Sequence, residues 1–322
     1  MIALVTGASG FIGGAVARVL LARGAQLRAL VRRGAHPNLP DPGGIETVPG
    51  DLRDPRSVRA AAEGCDAIFH VGGLYSFEAG ADELHAVNVG GTRNVLDAAA
   101  AVGARVVHTS SISTIGGMKG GILPDETQHA TGAPPGPYKA SKAEAERLVR
   151  EAAARGLDAV IVNPTFPVGW GDVKPTPTGA VIRDFLAGRI PAYLDTGMNV
   201  VDIDDVAEGH WLAFERGRSG ERYILGHANL MMRELLDELA RISGRKAPRV
   251  KLPYAVALGL ARLGHARVPL EGVRTAQEVR FASSARAVRE LGLPQTPVRA
   301  ALEKAVRWFQ RPDARGERSA TA

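Results

Sequence analysis

The feature that most constrains this chain is a glycine-rich turn close to its start. The apolar run "IALVT" at residues 2–6 leads into "TGASGFIGG", and helical spacing of apolar residues then continues to residue 23. In this setting Gly7 permits a tight turn, Gly10 lets the backbone approach a pyrophosphate, and Gly13 lets the helix pack closely on the strand. The start of a helix adds N–H donors and partial positive charge. The motif predicts dinucleotide binding, and a purely structural glycine turn is the alternative.

The first half of the chain alternates short apolar runs with helical patterns, which predicts its fold. Apolar strands that alternate with helices form a parallel sheet covered on both faces. We therefore predict an α/β fold, a doubly wound parallel sheet of the Rossmann type, over residues 1–165. Strands are predicted at residues 2–6, 27–31, 45–48, 65–71, 105–110 and 158–163, and helices at 11–23, near 55–62, at 82–102 and from 138 to 155.

The pattern changes after residue 165. Residues 163–179, "NPTFPVGWGDVKPTPTG", form a loop rich in Pro, Gly and Thr, and long loops are usually functional. Helical and strand-like pieces then intermix. We predict a smaller, discontinuous C-terminal substrate region over residues 166–310, in which 200–209 returns to the sheet as a strand before a helix. A flexible polar tail is predicted over 311–322.

Composition and charge narrow the function classes. The net charge is +6, but the basic residues are scattered and aromatic residues make up 5% of the chain, so nucleic-acid binding is not favoured. Attraction for small anions and a merely solvated basic surface both stay open.

No apolar run reaches the roughly 18 residues of a membrane span, and "MIALVTGASG" lacks the features of a signal peptide, so a cytoplasmic location is expected. The single cysteine, Cys65, excludes an internal disulfide and is expected to be buried. We predict no metal site.

A second local pattern is "PYKASK" at residues 137–142. Tyr138 and Lys142 are four residues apart and share one face of the predicted helix. The phenol of a tyrosine has a reference pKa of about 10, which a nearby ammonium lowers. The pair is a candidate for acid–base chemistry, and two ordinary residues on a helix face are the alternative.

Several motifs together resemble the extended short-chain dehydrogenases/reductases, the NAD-dependent epimerase/dehydratase superfamily. The resemblance covers residues 1 to about 310, and the turn has the spacing G-x-x-G-x-x-G. The other motifs are "GDLRD" (50–54), "FHVGG" (69–73), "NVGGTRN" (88–94), "HTSSISTIG" (108–116), "YKASK" (138–142) and "NPT" (163–165).

The resemblance implies a catalytic trio of Ser111, Tyr138 and Lys142. Ser111 would hydrogen-bond the substrate oxygen, and Tyr138 would exchange a proton with it. Lys142 would lower the pKa of the tyrosine and hold the hydroxyls of the nicotinamide ribose. In reduction the nicotinamide gives hydride to a carbonyl carbon while Tyr138 protonates the oxygen, and oxidation runs in reverse.

Further cofactor contacts follow from the same resemblance. Asp51 and Leu52 would lie beside the adenine, and Val71 and Gly72 would line the cofactor ribose. Thr109 and Ser110 would end a strand beneath the nicotinamide, whose carboxamide Pro164 would abut. Asn88 is interpreted as structural and His70 as a packing residue. The complete predicted cofactor set is Gly7, Gly10, Phe11, Ile12, Gly13, Arg32, Asp51, Leu52, Val71, Gly72, Thr109, Ser110, Tyr138, Lys142 and Pro164.

The end of the predicted second strand, "ALVRRG", bears on which dinucleotide binds. An NAD site would carry an acidic residue about 20 residues after the glycines, but Arg32 and Arg33 stand there instead. A guanidinium suits a 2′-phosphate. We therefore predict NADP, with Arg32 as its contact, while NAD and a solvated basic loop stay as alternatives.

The branch of the family is indicated by differences from the dehydratase pattern and by longer segments that resemble particular branches. Ser111, Ile112 and Ser113 stand where sugar-nucleotide dehydratases carry Thr-Asp-Glu, which disfavours a dehydratase. "NPT" followed by glycine resembles the dihydroflavonol 4-reductase branch, and residues 171–213 resemble bacterial hopanoid-associated sugar epimerases. The leading hypothesis is an NAD(P)-dependent oxidoreductase, a reductase or dehydrogenase of a carbonyl or alcohol substrate. A sugar epimerase is the first alternative and a non-catalytic dinucleotide sensor the second.

The substrate side is represented by "KPTPTG" at residues 174–179. Lys174, Thr176 and Thr178 are donors that would hold a phosphate or sugar hydroxyls, or else the threonines cap a helix near 179–187. Tyr75 and Phe77 form either an apolar wall of the site or part of the core. A small-molecule substrate is predicted. A homodimer through the helices at 82–102 and 138–155 is expected from the family alone.

Overall fold

The computed structural model describes residues 1–32, 39, 44–76, 79–118, 120–128, 136–263 and 270–311. Three predictions fall elsewhere: Arg33, Phe77 and the tail from residue 312 onward lie outside the described residues.

Strands and helices alternate through the first half of the chain, as predicted. The strands are β1 Ile2–Thr6, β2 Gln26–Val31, β3 Ile45–Pro49, β4 Ala67–His70, β5 Arg105–Thr109, β6 Ala159–Pro164, β7 Phe166–Val168, β8 Ala192–Tyr193, β9 Gly197–Asp202, β10 Arg222–Leu225, β11 Ala228–Met231 and β12 Val250–Lys251. The α-helices are α1 Phe11–Ala22, α2 Pro55–Ala62, α3 Ala81–Leu84, α4 Gly91–Val102, α5 Pro137–Ala154, α6 Pro177–Leu186, α7 Ile203–Arg216, α8 Met232–Ser243, α9 Tyr254–Arg262, α10 Leu270–Thr275, α11 Ala285–Leu291 and α12 Val298–Phe309.

The main sheet has seven parallel strands in the order β10-β6-β5-β4-β1-β2-β3. Strand β1 lies inside the sheet, where Val5 pairs with Ala29 of β2 on one side and with Phe69 of β4 on the other. The order of the strands therefore reverses between β1 and β4. In open sheets of this kind, ligands bind at that point, beyond the carboxyl ends of the strands. The doubly wound fold predicted from the sequence is confirmed.

Each face of the main sheet carries its own apolar layer. Phe69 packs with the side chains of α1 and α7 on one face. Its neighbour Ile68 packs with those of α2, α4 and α5 on the other. Neighbouring side chains of a strand point to opposite faces, so a strand covered on both sides must be apolar throughout. This explains why the inner strands β1, β4 and β6 are almost continuous apolar runs.

The predicted helix at 82–102 contains an irregular segment. The chain from Ala81 to Val102 is helical throughout, but His85–Gly90 is a π-helical turn between α3 and α4. Asn88 lies in this turn, and its side chain bonds the backbone of Leu74 and the hydroxyl of Ser141. The interpretation of Asn88 as a structural residue is confirmed.

The prediction that residues 200–209 return to the main sheet as a strand is wrong. Strand β9 pairs instead with β7 and β11 in a separate three-stranded sheet. The strand that extends the main sheet is β10, which pairs in parallel with β6. A parallel strand must follow a crossover that covers the sheet, and α7 is that crossover. Residues 203–216 thus return to the main sheet as a helix on its face, packed against α1.

The C-terminal part of the chain has a third apolar cluster. The side chains of α6, α8 and α12 pack against the three-stranded sheet, around Leu235, Leu239 and Leu302. A short parallel ladder joins β8 to β12.

Candidate active site

The glycine turn between β1 and α1 is built from contacts that exclude side chains. Gly7 has a φ of +70°, and a Cβ there would lie 2.6 Å from Gly72 Cα. A Cβ on Gly13 would lie 2.1 Å from the carbonyl oxygen of Gly7. Gly10 precedes α1 and caps it without a side-chain hydrogen bond. The turn therefore leaves the start of α1 open to a ligand, and a helix start of this kind suits a pyrophosphate. These residues fit a dinucleotide.

The end of β4 is fixed by a chain of buried hydrogen bonds. Thr6 Oγ1 accepts a bond from Gly72 N at 3.0 Å and lies 2.8 Å from His70 Nδ1. His70 Nε2 lies 3.1 Å from Thr92 Oγ1. Burial lowers the pKa of His70 to about 3, so the ring is neutral. The interpretation of His70 as a packing residue is confirmed, and its contacts position Val71 and Gly72 beside the glycine turn.

Charged side chains gather beyond the carboxyl ends of β2 and β3. Asp51 accepts bonds from Arg53 through both carboxylate oxygens, at 2.9 and 2.7 Å. Arg53, through this bond, and more weakly the charge of Arg32 lower the pKa of Asp51 to about 2. Arg32 is exposed and lies near Asp51. Leu52 lies against Gly91, and its carbonyl accepts a bond from Asn94 at 2.7 Å. Arg53 was not among the residues predicted for this region, although it lies in the motif "GDLRD".

Ser111, Tyr138 and Lys142 converge at the carboxyl end of β5. Ser111 follows the strand, Tyr138 lies in the first turn of α5, and Lys142 is one turn further on. The Ser111 side chain lies close enough to Tyr138 to lower the pKa of its phenol. Lys142 Nζ donates to the carbonyl oxygen of Thr109 at 2.7 Å. The structure thus brings together the three residues that the resemblance implied.

The ionisation of this group differs in one respect from the prediction. Burial raises the pKa of Tyr138 to about 12, against opposite effects of Ser111 and the charge of Arg280. Burial also lowers the pKa of Lys142 to about 8, opposed by Glu146. The sequence predicted that Lys142 lowers the pKa of Tyr138, but the cation with that effect in the structure is Arg280. The ammonium of Lys142 is instead turned toward Thr109.

A buried carboxylate that sequence reasoning missed lies beneath this group. Glu146 Oε2 accepts bonds from Ser110 Oγ at 2.5 Å, Thr114 Oγ1 at 2.6 Å and Asn163 Nδ2 at 2.9 Å. Its Oε1 accepts from Arg222 Nη1 at 2.9 Å. Burial alone would raise the pKa of Glu146, but these partners hold it below its usual value. Glu146 follows Lys142 by four residues, and this spacing was the signal available in the sequence.

The side chains of Thr109 and Ser110 are both engaged in the protein. Thr109 Oγ1 lies 2.9 Å from Nε2 of the buried His210, and Ser110 donates to Glu146. Any contact that these two residues make with a cofactor would therefore use their backbone.

An open cavity adjoins the catalytic trio. It encloses about 830 Å³ of empty space, including its open mouth. The Tyr75 ring lies 4.7 Å from that of Tyr138 and is 43% exposed, so Tyr75 is a wall of the cavity and not a core residue. The lining residues are Phe11, Ile12, Tyr75, Ser110, Ser111, Ile112, Ser113, Tyr138, Lys139, Pro164, Thr165, Phe166, Pro167, Thr176, Thr178, Thr275 and Arg280.

The three predicted substrate residues of "KPTPTG" differ in their positions relative to the cavity. Thr176 lines the cavity but also caps α6, since its hydroxyl accepts from Gly179 N at 3.1 Å and donates to Asp172 at 2.9 Å. Thr178 is buried and lines the cavity as well. Lys174 is exposed and is not among the lining residues. Thr176 therefore caps a helix, as the structural alternative predicted, and Lys174 does not line the cavity.

The described residues contain no candidate metal site and no candidate membrane span. In that part of the chain no group of three or more His, Cys, Asp or Glu is placed to bind a metal ion. None of the described helices combines the length and apolar character needed to span a bilayer.

Comparison with known proteins relates this site to others. The NAD dependent epimerase/dehydratase family matches residues 3–226. A Synechocystis protein with the provisional name dihydroflavonol 4-reductase is 42% identical, over 95% of this chain and 94% of its own. The crystal structure of gox2253 is 41% identical with a TM-score of 0.85, covering 96% of this chain and 98% of that one. DesIV, a dTDP-glucose 4,6-dehydratase from Streptomyces venezuelae solved with NAD bound, is 28% identical with a TM-score of 0.80, covering 98% of both chains.

Proposed function

The chain belongs to the NAD dependent epimerase/dehydratase family, the extended short-chain dehydrogenases/reductases, and we propose that it is an NADP-dependent reductase or dehydrogenase of a small carbonyl or alcohol substrate. The observation that carries the proposal is the convergence of Ser111, Tyr138 and Lys142 at one wall of the cavity. The 42% identity to a relative named as a reductase supports the same reaction class. Residues 166–310 would supply most of the substrate contacts.

The proposed mechanism assigns one task to each member of the trio. The bound nicotinamide supplies or accepts the hydride. Tyr138 is protonated at neutral pH because burial raises its pKa to about 12, which suits a group that gives its proton to a carbonyl oxygen. Ser111 lines the cavity with Tyr138 and would donate to the same oxygen. Lys142 would exchange its bond to Thr109 for the ribose hydroxyls of the cofactor.

The binding of the dinucleotide is assigned to the glycine turn and its neighbours. The first turn of α1, with Gly10, Phe11, Ile12 and Gly13, would hold the pyrophosphate. Gly72 and its neighbour Val71 would line the ribose, and Pro164 would contact the nicotinamide. This assignment is supported by the close approach of Gly7, Gly13 and Gly72, which leaves no room for side chains.

The preference for NADP over NAD is assigned to Arg32. Its guanidinium is exposed beyond β2, near Asp51, where the 2′-phosphate of NADP would lie. Replacing Arg32 by Asp should weaken NADPH binding by at least about 30-fold and change NADH binding little, because only NADPH carries the lost charge partner. Calorimetric titration measures both. The control is Arg307→Asp, an equal charge change at an exposed position of α12. Equal losses for both dinucleotides would remove the assignment.

A sugar epimerase is the second candidate. It is favoured by the family itself and by the two threonines, Thr176 and Thr178, that line the cavity and would suit sugar hydroxyls. An epimerase returns the hydride to its substrate, whereas a reductase consumes NADPH. Screening ketones, aldehydes and lipid-linked sugars for loss of NADPH absorbance separates the two. Conversion of a sugar with no net change in absorbance would favour the epimerase.

Assembly into a homodimer through α4 and α5 is a further proposal that rests on the family. Light scattering of the purified chain measures its mass in solution, and a monomer at micromolar concentration would contradict the proposal.

A further inference from the structure

Within the described part of the chain, the guanidinium of Arg280, which lines the cavity, has more donors than partners. Its side chain is 10% exposed. Among the described residues this side chain makes one hydrogen bond, from Nη2 to Glu278 Oε2 at 3.0 Å. Its Nε is buried and has no partner in that part of the chain. A guanidinium has five N–H donors, and buried donors in folded proteins are nearly always satisfied.

A second buried arginine shows what a purely structural role looks like in this protein. Arg222 donates from Nε to Glu126 O, from Nη1 to Glu146 and from Nη2 to Gln128 O, at 2.8 to 2.9 Å. All three of its nitrogens are bonded within the protein. Arg280 is comparably shielded from water, but most of its donors have no partner among the described residues.

The location of Arg280 indicates what that partner is. The residue lines the cavity beside Tyr75 and Tyr138, and its charge lowers the pKa of Tyr138. Its backbone is fixed to β9, because Arg280 N donates to Gly197 O at 2.8 Å and Asn199 N donates to Arg280 O at 3.0 Å. The backbone of Arg280 is therefore fixed, and the residue lines the same cavity as Tyr138.

The charged side chains around Arg280 indicate the sign and size of the charge that a ligand would carry. Glu278 accepts from Arg280 and also from Lys139 Nζ at 2.8 Å, so one carboxylate serves two cations. Glu278 is also half exposed, which weakens its effect on Arg280 through solvent screening. Arg280 is left incompletely neutralised. This deficit suits a singly charged carboxylate better than a doubly charged phosphate.

We propose that Arg280 binds a carboxylate of the substrate, close to the carbonyl or alcohol that reacts at Tyr138. The substrates are then oxo or hydroxy carboxylic acids. The apolar side chains of Ile112 and Phe166, which line the same cavity, suit the hydrocarbon part of such an acid. The reacting oxygen is located by the proposed function, on which this inference rests. A guanidinium and a carboxylate match in shape and form paired, charge-assisted hydrogen bonds.

Binding to the NADPH-loaded protein tests the inference without requiring turnover. The probes are 3-hydroxyoctanoate and its uncharged methyl ester, titrated calorimetrically. The wild-type protein should bind the acid at least about 10-fold more tightly than the ester, as expected for a charged hydrogen bond. Arg280→Gln should remove that preference and leave ester binding unchanged, and Arg280→Lys should keep part of it. Arg241→Gln, which removes an exposed arginine of α8, is the matched control and should change nothing.

A variant that should strengthen binding of the acid, and not weaken it, separates a binding role of Arg280 from a merely structural role. Glu278→Gln removes the carboxylate that partly neutralises Arg280, so it should strengthen binding of the acid about 2- to 5-fold and leave the ester unchanged. The inference is overturned if the wild-type protein binds both probes equally, if it binds neither, or if the preference survives in Arg280→Gln. Loss of NADPH absorbance is measured separately, and its absence would count against the proposed function and not against the carboxylate site.

Discussion

Replacing Glu146 by glutamine tests the buried network that supports the active site. The carboxylate accepts four hydrogen bonds, from Ser110, Thr114, Asn163 and Arg222, and both members of its ion pair with Arg222 are 5% exposed. Glutamine has nearly the same shape, so no cavity forms. Its amide has one acceptor oxygen, and its NH2 group would face donors.

The expected cost follows from the charge left behind. Breaking a buried ion pair by removing one partner costs about 3–5 kcal/mol, because the other charge stays buried without compensation. Arg222 keeps its bonds to Glu126 O and Gln128 O, which places the expected loss at the lower end, about 3 kcal/mol. Because Ser110 and Thr114 flank Ser111, turnover should fall as well.

Urea denaturation at neutral pH measures the change in the free energy of unfolding. Glu151→Gln is the matched control, since Glu151 lies on the same helix in an exposed pair with Arg147 and should cost no more than about 0.5 kcal/mol. The pKa of Glu146 lies below its usual 4.5, so its contribution is complete above that pH and is lost as the pH falls through the folded-state pKa. The difference between wild type and Glu146→Gln should therefore shrink in acid. A loss below about 1 kcal/mol, or one equal to the control, would refute the reasoning.

Three further predictions follow from single contacts. Gly13→Ala places a Cβ 2.1 Å from Gly7 O, so it should cost about 1–3 kcal/mol and weaken NADPH binding in a calorimetric titration; unchanged binding would contradict the packing argument. Thr176→Val removes the cap of α6 and should cost about 1 kcal/mol in thermal denaturation, whereas an unchanged melting temperature would show the cap to be dispensable. Burial lowers the pKa of His70 to about 3 and of His210 to about 4, so the unfolded chain binds more protons below pH ~6.5. Each histidine should then remove about 2 kcal/mol of stability between pH 7 and pH 5, and equal melting temperatures at the two pH values would contradict this.

Local patterns were sufficient to predict the nucleotide-binding half of the fold. The turn at Gly7, Gly10 and Gly13 joins a strand to a helix within a few residues, so its meaning does not depend on distant parts of the chain. The inner strands β1, β4 and β6 are largely apolar because both faces of the sheet are covered there, whereas the edge strand β3 exposes Glu46 and Thr47. The proximity of Tyr138 and Lys142 could also be predicted, since helical spacing alone places them on one face.

Pairings between distant segments could not be predicted in the same way. Val200 and Val201 are as apolar and as buried as residues of the main sheet, and only the pairing of β9 with β7 and β11 shows that they lie elsewhere. The actual seventh strand, β10, has four residues and carries Arg222, whose charge is neutralised by Glu146 of α5. Arg280 reaches the site from a separate segment of the chain that no motif marked. In each case the missing information was the spatial partner and not the character of the residue.

The central claim is that Tyr138 exchanges the proton while hydride moves between nicotinamide and substrate. The most direct test is the rate of NADPH oxidation by Tyr138→Phe with a carbonyl substrate from the screen, together with its affinity for NADPH. Turnover should fall about 10²- to 10⁴-fold, the usual contribution of a positioned acid, while the affinity for NADPH stays close to that of the wild type. Tyr75→Phe, in the same cavity wall, should keep most of the activity. Substantial turnover by Tyr138→Phe would contradict the account.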